Sequence, residues 1–420
     1  MSLKQELTKI SEDAQAASRK MADVSTTAKD ALLCEMAGAL LKNKDSILSA
    51  NTKDLAKARA AKMPAALLDR LTLNGKRIKD MSETLRAIAK LNDPVGTEIR
   101  AWRIPNGLWI HKVRVPIGVI AIIYESRPNV TADCIGLCLK SGNSVILRGG
   151  SESLNSNLAI CKILKTILKK HNIAQGAVNL ISTTDRRAID ELLKLNQYID
   201  LVMPRGGEGL INRVVKCSRI PVIKHYKGIC HVYVDEWADL NMAHKICFNA
   251  KVQRPGVCNA MESMLVHRDA AIRFLPGMLK ELHQAGVEIR GCPMTKKIAK
   301  NIKVKIATEK DYRTEYLDLI LSVKVVGTLD EAIGHVNNYG SHHSDSIVTE
   351  NYDHALKFLK QVDSACVYAN ASTRFTDGNQ FGMGAEIGIS TDKLHARGPM
   401  ALEELTTYKY MIFGNGQVRE

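Results

Sequence analysis

The sequence predicts an α/β protein with two doubly wound units and a small β arm, and three observations carry the prediction. Its 420 residues, at roughly 150 per domain, allow two or three domains with sizeable cores. Short apolar runs alternate with helical stretches over most of the chain, the rhythm of parallel strands joined by crossovers. A turn-marked ribbon and a late β-prone run stand apart from that rhythm.

Residues 1 to about 95 read as a helical prologue, because Leu3, Leu7, Ile10, Ala14, Ala17 and Met21 recur at three- and four-residue steps. From 99 to 116 two alternating segments flank Pro105-Asn106-Gly107, a hairpin signal. A lone ribbon is marginal in water and needs a further strand from this chain or another copy. Apolar runs at 117–124, 143–148, 177–182, 199–203 and 230–234 form the first α/β set, and runs at 262–267, 319–326, 345–349 and 366–370 the second. The run 406–413 is placed to pair with the ribbon or with a neighbouring subunit. No internal repeat or low-complexity segment interrupts this order.

Apolar residues make up 45% and charged residues 25%, which sets aside disordered, collagen-like and fibrous chains. The longest apolar run, Ile117 to Tyr124, falls far short of the ~20 residues of a membrane span. The start MSLKQELTKI lacks the zones of a secretory signal, so a cytoplasmic location is expected. Ten cysteines with no CxxC pair argue for reduced thiols, one available as a reagent and nine as small buried hydrophobes. The charge of 59 − 44 = +15 raises nucleic acid as a partner. It is spread as doublets such as Arg186-Arg187, and aromatics are only 5%, too few for a base-stacking platform. Small anionic ligands suit the excess better, and neither nucleic acid nor a membrane is an expected partner.

Three stretches could carry chemistry. In QRPGVCNAMESMLV (253–266), Pro255-Gly256 force a turn and Cys258 follows just ahead of a strand, where a thiol can be presented as a nucleophile. Its activation requires a nearby positive charge such as Arg254, or backbone N–H groups; the alternative is a packed core cysteine. In YESRPNVTADCIGLCLKSGNSVILRGGSES (124–153), Asn129 stands where strand gives way to helix, either as a donor to an oxyanion or as a helix N-cap. Arg148-Gly149-Gly150-Ser151 and the Gly206-Gly207 pair of PRGGEGL each follow a strand. They read as phosphate-handling loops or as ordinary loop glycines. The third stretch, NNYGSHHSDSIVT (337–349), gathers Ser341, His343, Ser344 and Asp345 in a turn before a strand. No ligand partner recurs at metal spacing, so hydrogen bonding to a polar substrate, or plain loop polarity, is expected and a metal is not.

VPIGVIAIIYESRPNVTADC, KSGNSVILRGGSE, VQRPGVCNAMESMLVH, NNYGSHHSDSI and QFGMGAEIGISTDKLHARGPM resemble the gamma-glutamyl phosphate reductases of proline biosynthesis, within the aldehyde dehydrogenase superfamily. The resemblance spans essentially the whole chain. It implies an aldehyde dehydrogenase-like build: a cofactor domain over 1–98 and 115–245, a catalytic domain over 246–400, and an oligomerisation arm over 99–114 and 401–420. It places Cys258 as the nucleophile, Asn129 as the oxyanion donor, Arg148 at the adenosine ribose, where it would suit the 2′-phosphate of NADP(H), and Glu315 at the nicotinamide ribose. Aldehyde-oxidising relatives carry a water-activating glutamate where this chain has IKHYKGICHV (223–232), which contains none.

The expected reaction is therefore NADPH-dependent reduction of L-glutamyl 5-phosphate to glutamate 5-semialdehyde through a thioacyl enzyme, in a homo-oligomer working with a glutamate 5-kinase. Arg127, Arg254, Ser341, His343, Ser344 and Asp345 are the candidates for holding the substrate's phosphate and α-carboxylate. A hydrolytic aldehyde dehydrogenase is the alternative within enzymes, and a basic RNA-binding protein the alternative outside them.

Overall fold

The structure, a computed structural model, describes residues 2–224 and 227–419. The chain forms two units. One comprises Met1–Lys224, Gly382–Gly388 and Met400–Glu420, the other His225–Phe381 and Ile389–Pro399.

The first unit opens with the helices Leu3–Met21, Thr26–Lys42, Lys44–Ala60, Ala65–Leu71 and Gly75–Ala89. Ser2 starts the first with a reciprocal cap, its side chain accepting from the Gln5 amide while the Gln5 side chain accepts from the Ser2 amide. The predicted stripe is largely realised, with Leu7, Ala14, Ala17 and Met21 buried. The ribbon follows as β1 (Glu98–Arg103) and β2 (Trp109–Pro116), antiparallel. Gly107 closes its turn at φ +91° with its N–H on the Ile104 carbonyl. The carboxyl-terminal strand Thr406–Phe413 pairs with β2 of the same chain, Thr406 opposite Pro116 and Phe413 opposite Trp109. The resulting three-stranded sheet leaves Trp109, Tyr410, Ile412 and Phe413 more than half exposed.

Four parallel strands form the sheet of this unit: β3 (Val119–Tyr124), β4 (Ser144–Arg148), β5 (Val178–Leu180) and β6 (Leu201–Arg205), in the order β5-β4-β3-β6. The first three step outward and β6 returns to the far side of β3. The order therefore reverses between β3 and β6, whose carboxyl ends, Tyr124 and Arg205, lie in register. Such a reversal opens a crevice where doubly wound sheets take ligands.

The second unit holds a parallel sheet of β7 (Cys230–Val234), β8 (Met261–His267), β9 (Glu288–Gly291), β10 (Val304–Ile306), β11 (Ile320–Val326), β12 (Ser344–Val348) and β13 (Cys366–Ala369). Their order is β10-β9-β11-β8-β7-β12-β13. One apolar layer, including Val232, Met264, Phe274, Leu279 and Val323, packs strands against the helix Arg268–Gln284. The sequence grouped 230–234 with the first set and divided the chain at 245/246. The structure corrects this: β7 pairs with β8 and β12, so the division falls at 224/225. No helix among the described residues is long and apolar enough to cross a membrane.

Candidate active site

Cys258 lies in the turn between the helix Leu240–Val252 and β8 and is partly exposed. Six of the other nine cysteines are buried, whereas Cys34 and Cys217 are exposed and Cys292 is intermediate. The expectation that all nine are buried fails at those three. Burial pushes the Cys134, Cys138, Cys230 and Cys247 thiols far above the usual range and Cys161 up to about 11, which keeps them protonated at neutral pH.

Two segments clamp the Cys258 turn. Gly228 lies against it so closely that a Cβ there would fall 1.8 Å from the Cys258 carbonyl oxygen. The same oxygen accepts the Cys230 thiol at 3.2 Å. The Gly228 N–H donates to Glu315 Oε1 at 2.9 Å, and the Ile229 N–H to Ser341 Oγ at 2.8 Å. On the other side Asn259 is buried. Its Nδ2 donates to the carbonyls of Thr376 and Arg374, and its own carbonyl accepts the Thr373 hydroxyl. Arg374, which sequence reasoning missed, thereby enters the neighbourhood of Cys258, facing Arg254.

The structure thus groups Cys258, Arg254, Glu315 and Ser341 in the second unit. Glu315 and Ser341 act there as acceptors for the 228–229 backbone. His343, Ser344 and Asp345 are fully buried. Ser344 shares a hydrogen bond with Thr376 Oγ1 at 2.6 Å. Asp345 Oδ1 accepts from the His231 amide at 2.7 Å and from its ring at 2.9 Å, and Oδ2 accepts from Ser364. The residues read as a substrate turn are therefore largely engaged inside the unit, because Ser344 and Asp345 already belong to β12. Two positions of the 223–232 segment, His225 and Tyr226, lie outside the described residues.

A second buried device supports the same loop. Lys251 Nζ donates to Glu262 Oε2 at 2.7 Å with both side chains buried. Glu262 Oε1 accepts the Leu317 N–H at 3.0 Å, and Leu317 has a left-handed φ of +54°, two residues beyond Glu315. Burial is the chief cause that raises Glu262 to about 7 and lowers Lys251. Asp235, Glu236 and His354 also bring ligand atoms within 4.8 Å of one another, but Asp235 already accepts from the Tyr233 and Thr349 hydroxyls and the His354 ring.

In the first unit, Asn129 is the first residue of the helix Asn129–Lys140, and its N-cap is Pro128 with no side-chain cap bond. Asn129 Nδ2 instead donates to Asp133 Oδ2 at 3.2 Å, which disposes of the N-cap alternative. Burial pushes the Asp133 carboxyl up to about 6, opposed by the Asn129 bond and the Arg205 charge. Arg127 is half-buried just before this helix.

The fit of a dinucleotide divides by residue. Arg148 ends β4 and is buried, with Nη1 on the Gly149 carbonyl at 3.1 Å and Nε without a partner among the described residues. Arg186 and Arg213 add positive charge to its surroundings, opposed by Glu152 and Glu125. A buried guanidinium with an unsatisfied donor fits a phosphate. The glycine loops offer less open backbone than the sequence implied. The Gly207 N–H donates to Glu125 Oε2 at 2.9 Å, and a Cβ at Gly206 would fall 2.4 Å from the same oxygen. Beyond Gly149, Gly150 and the exposed Ser151, the helix Leu154–Lys170 has its first amides capped by Asp54, which accepts from Asn155 and Ser156 at 3.2 and 2.8 Å. Carboxylates thus already serve both helix N-termini.

The aldehyde dehydrogenase family model matches residues 2–297 and 307–411. A gamma-glutamyl phosphate reductase of Caldanaerobacter subterraneus subsp. tengcongensis is 59% identical over 407 residues, 97% of this chain and 98% of its own. The crystal structure of a gamma-glutamyl phosphate reductase from Thermotoga maritima superposes with a TM-score of 0.96 at 49% identity, covering 99% of this chain and 100% of its own. An acetylating aldehyde dehydrogenase from Geobacillus thermoglucosidasius shares the fold at a TM-score of 0.70 and 16% identity, over 100% of this chain and 98% of its own. The chain belongs to the aldehyde dehydrogenase family and, within it, to the gamma-glutamyl phosphate reductases.

Proposed function

We propose that the protein reduces L-glutamyl 5-phosphate to L-glutamate 5-semialdehyde and phosphate, with Cys258 as the nucleophile. The observation that carries this is the partly exposed Cys258 thiol, held in a clamped turn with the Arg374 charge beside it. The Cys258 sulfur attacks the γ-acyl carbon, the carbon–oxygen bond to phosphate breaks, and the electron pair leaves with phosphate. Asn129 donates to the oxyanion that develops on the carbonyl, a role its Asp133 contact supports by fixing the amide. NADPH, when bound, supplies the hydride that reduces the thioester. Arg148, with its free Nε donor, holds the 2′-phosphate of that cofactor, and Glu315 faces its nicotinamide ribose. Gly149, Gly150, Ser151, Gly206 and Gly207 line its phosphates once Glu125 gives way.

The absence of glutamate in 223–232 supports acyl-phosphate reduction over the hydrolytic alternative, since a thioester awaiting hydride must not meet an activated water. Arg254 and Arg127 serve the substrate's anionic groups. The exposed apolar residues on both faces of the three-stranded sheet support a homo-oligomer, and a glutamate 5-kinase supplies the acyl phosphate.

The test runs the reaction backwards. Glutamate semialdehyde and NADP+ with wild-type protein should give NADPH only when inorganic phosphate is present, and Cys258→Ala should give none. Steady NADPH formation without phosphate would establish the hydrolytic reading instead. Asn129→Ala should lower kcat on the order of 10²- to 10³-fold.

A further inference from the structure

We propose that Arg374 is the residue that holds the phosphoryl group of the acyl phosphate beside Cys258 and so sets the preference for that substrate class. The inference rests on the reaction proposed above and deepens it.

Arg374 sits in the short turn Thr373–Phe375 and is tied to the nucleophile's own loop by both its backbone and its side chain. Its Nη1 donates to Asn259 Oδ1, and its Nε donates to Gln253 Oε1 at 2.9 Å. In return Asn259 Nδ2 donates to the carbonyls of Arg374 and Thr376, at 3.3 and 2.9 Å. Asn259 is the residue after Cys258, so the guanidinium keeps a set position relative to the sulfur.

Both acceptors of this guanidinium are neutral amides. Among the described residues no carboxylate hydrogen-bonds to it; Asp377 acts on it only through its charge. Burial disfavours its charged form, and the like charge of Arg254 adds to this. A half-buried cation in this state is stabilised by an anion, and a guanidinium with five donors, two of them used here, can grip a phosphate bidentately.

Substrate chemistry says which anion. In an acyl phosphate the phosphorus is joined through one oxygen to the carbon that Cys258 attacks. A cation positioned by Asn259 and interacting with Cys258 therefore meets the leaving phosphate, whereas the α-carboxylate lies at the far end of the glutamyl chain. As the sulfur–carbon bond forms and the carbon–oxygen bond breaks, charge accumulates on the departing oxygen, where Arg374 opposes it. In the reverse direction the same contact binds phosphate for its attack on the thioester.

The test measures NADP+ reduction with glutamate semialdehyde at graded inorganic phosphate, for wild type, Arg374→Ala and Arg374→Lys. The expected result is a KM for phosphate raised at least tenfold in Arg374→Ala, partly restored in Arg374→Lys, with the KM for semialdehyde within twofold of wild type. An unchanged phosphate KM, or a semialdehyde KM that rises instead, overturns the proposal. A second readout is independent of turnover. Phosphate should slow iodoacetamide alkylation of Cys258 saturably in wild type and not in Arg374→Gln; equal protection in both also overturns it. If wild type itself shows no phosphate dependence, the reaction reading fails and this inference with it. If wild type shows it and the Arg374 variants retain it, only this inference fails.

Discussion

Replacing Gly228 by alanine adds one methyl group at the point where the 227–230 segment meets the Cys258 turn. The new Cβ would lie 1.8 Å from the Cys258 carbonyl oxygen, 2.5 Å from its carbonyl carbon and 2.6 Å from its Cα, whereas real Cβ atoms stay beyond 3.0 Å. All three neighbours are backbone, so no rotamer change relieves the clash, and one segment must retreat by at least about 1.2 Å. A misplacement of about 1 Å at a reacting centre costs on the order of 10²-fold in rate, and overpacking of this kind destabilises by roughly 1–3 kcal/mol. We expect Gly228→Ala to fold, to lose about 10²-fold in kcat/KM in the phosphate-dependent assay, and to show an altered rate of Cys258 alkylation. Wild-type kcat/KM with an unshifted unfolding midpoint would refute the view that this contact positions the nucleophile.

Three further outcomes follow from the buried charges. Lys251→Met strands Glu262 in the interior and should destabilise the second unit by about 3–5 kcal/mol in denaturant titration, most of it recovered in Lys251→Met/Glu262→Leu. The Asp133 carboxyl, raised by burial to about 6, binds a proton more tightly folded than unfolded. Its contribution to stability is thus full below about pH 4 and lost as pH rises through 6, at most about 3 kcal/mol. Asp133→Asn should therefore gain in melting temperature over wild type between about pH 4.5 and 7.5, and a gap that narrows with pH would refute this. Arg148→Ala should raise the KM for NADPH roughly 10- to 100-fold, the worth of a charged hydrogen bond, while leaving that for NADH within about twofold.

Most strands were legible in the sequence because each is a short apolar run bounded by turn residues, and the runs 230–234 and 406–413 match their strands residue for residue. The strands β9 and β10 were not, since runs of only four and three residues carry no pattern. Nor could the sequence say which sheet takes β7, because parallel pairing is settled by partners far along the chain. Of the proposed site, the positions of Cys258 in a turn and Asn129 at a helix start were readable, each following a proline. The carboxylates on the helix N-termini were not: Glu125 reaches Gly207 across 82 residues and Asp54 reaches Ser156 across 102. Arg374 was hidden for the same reason. Its partners Gln253 and Asn259 lie more than a hundred residues upstream, and only its nearness to the QFGMGAEIG stretch hinted at it.

The pairing of β2 with Thr406–Phe413 orders events at the ribosome. The first unit takes back 382–388 after most of the second unit has been made and 400–420 after all of it, and Leu405 supplies a carbonyl to Asn143, whose Oδ1 holds the Gly118 amide ahead of β3. Nascent chains therefore wait with an incomplete ribbon, one edge of β2 unpaired and prone to foreign strands, until Thr406–Phe413 has been made. A frameshift or proteolytic nick that removes Thr406–Phe413 recreates that immature state. Quality control would meet it as an aggregation hazard before any deficit in catalysis was noticed.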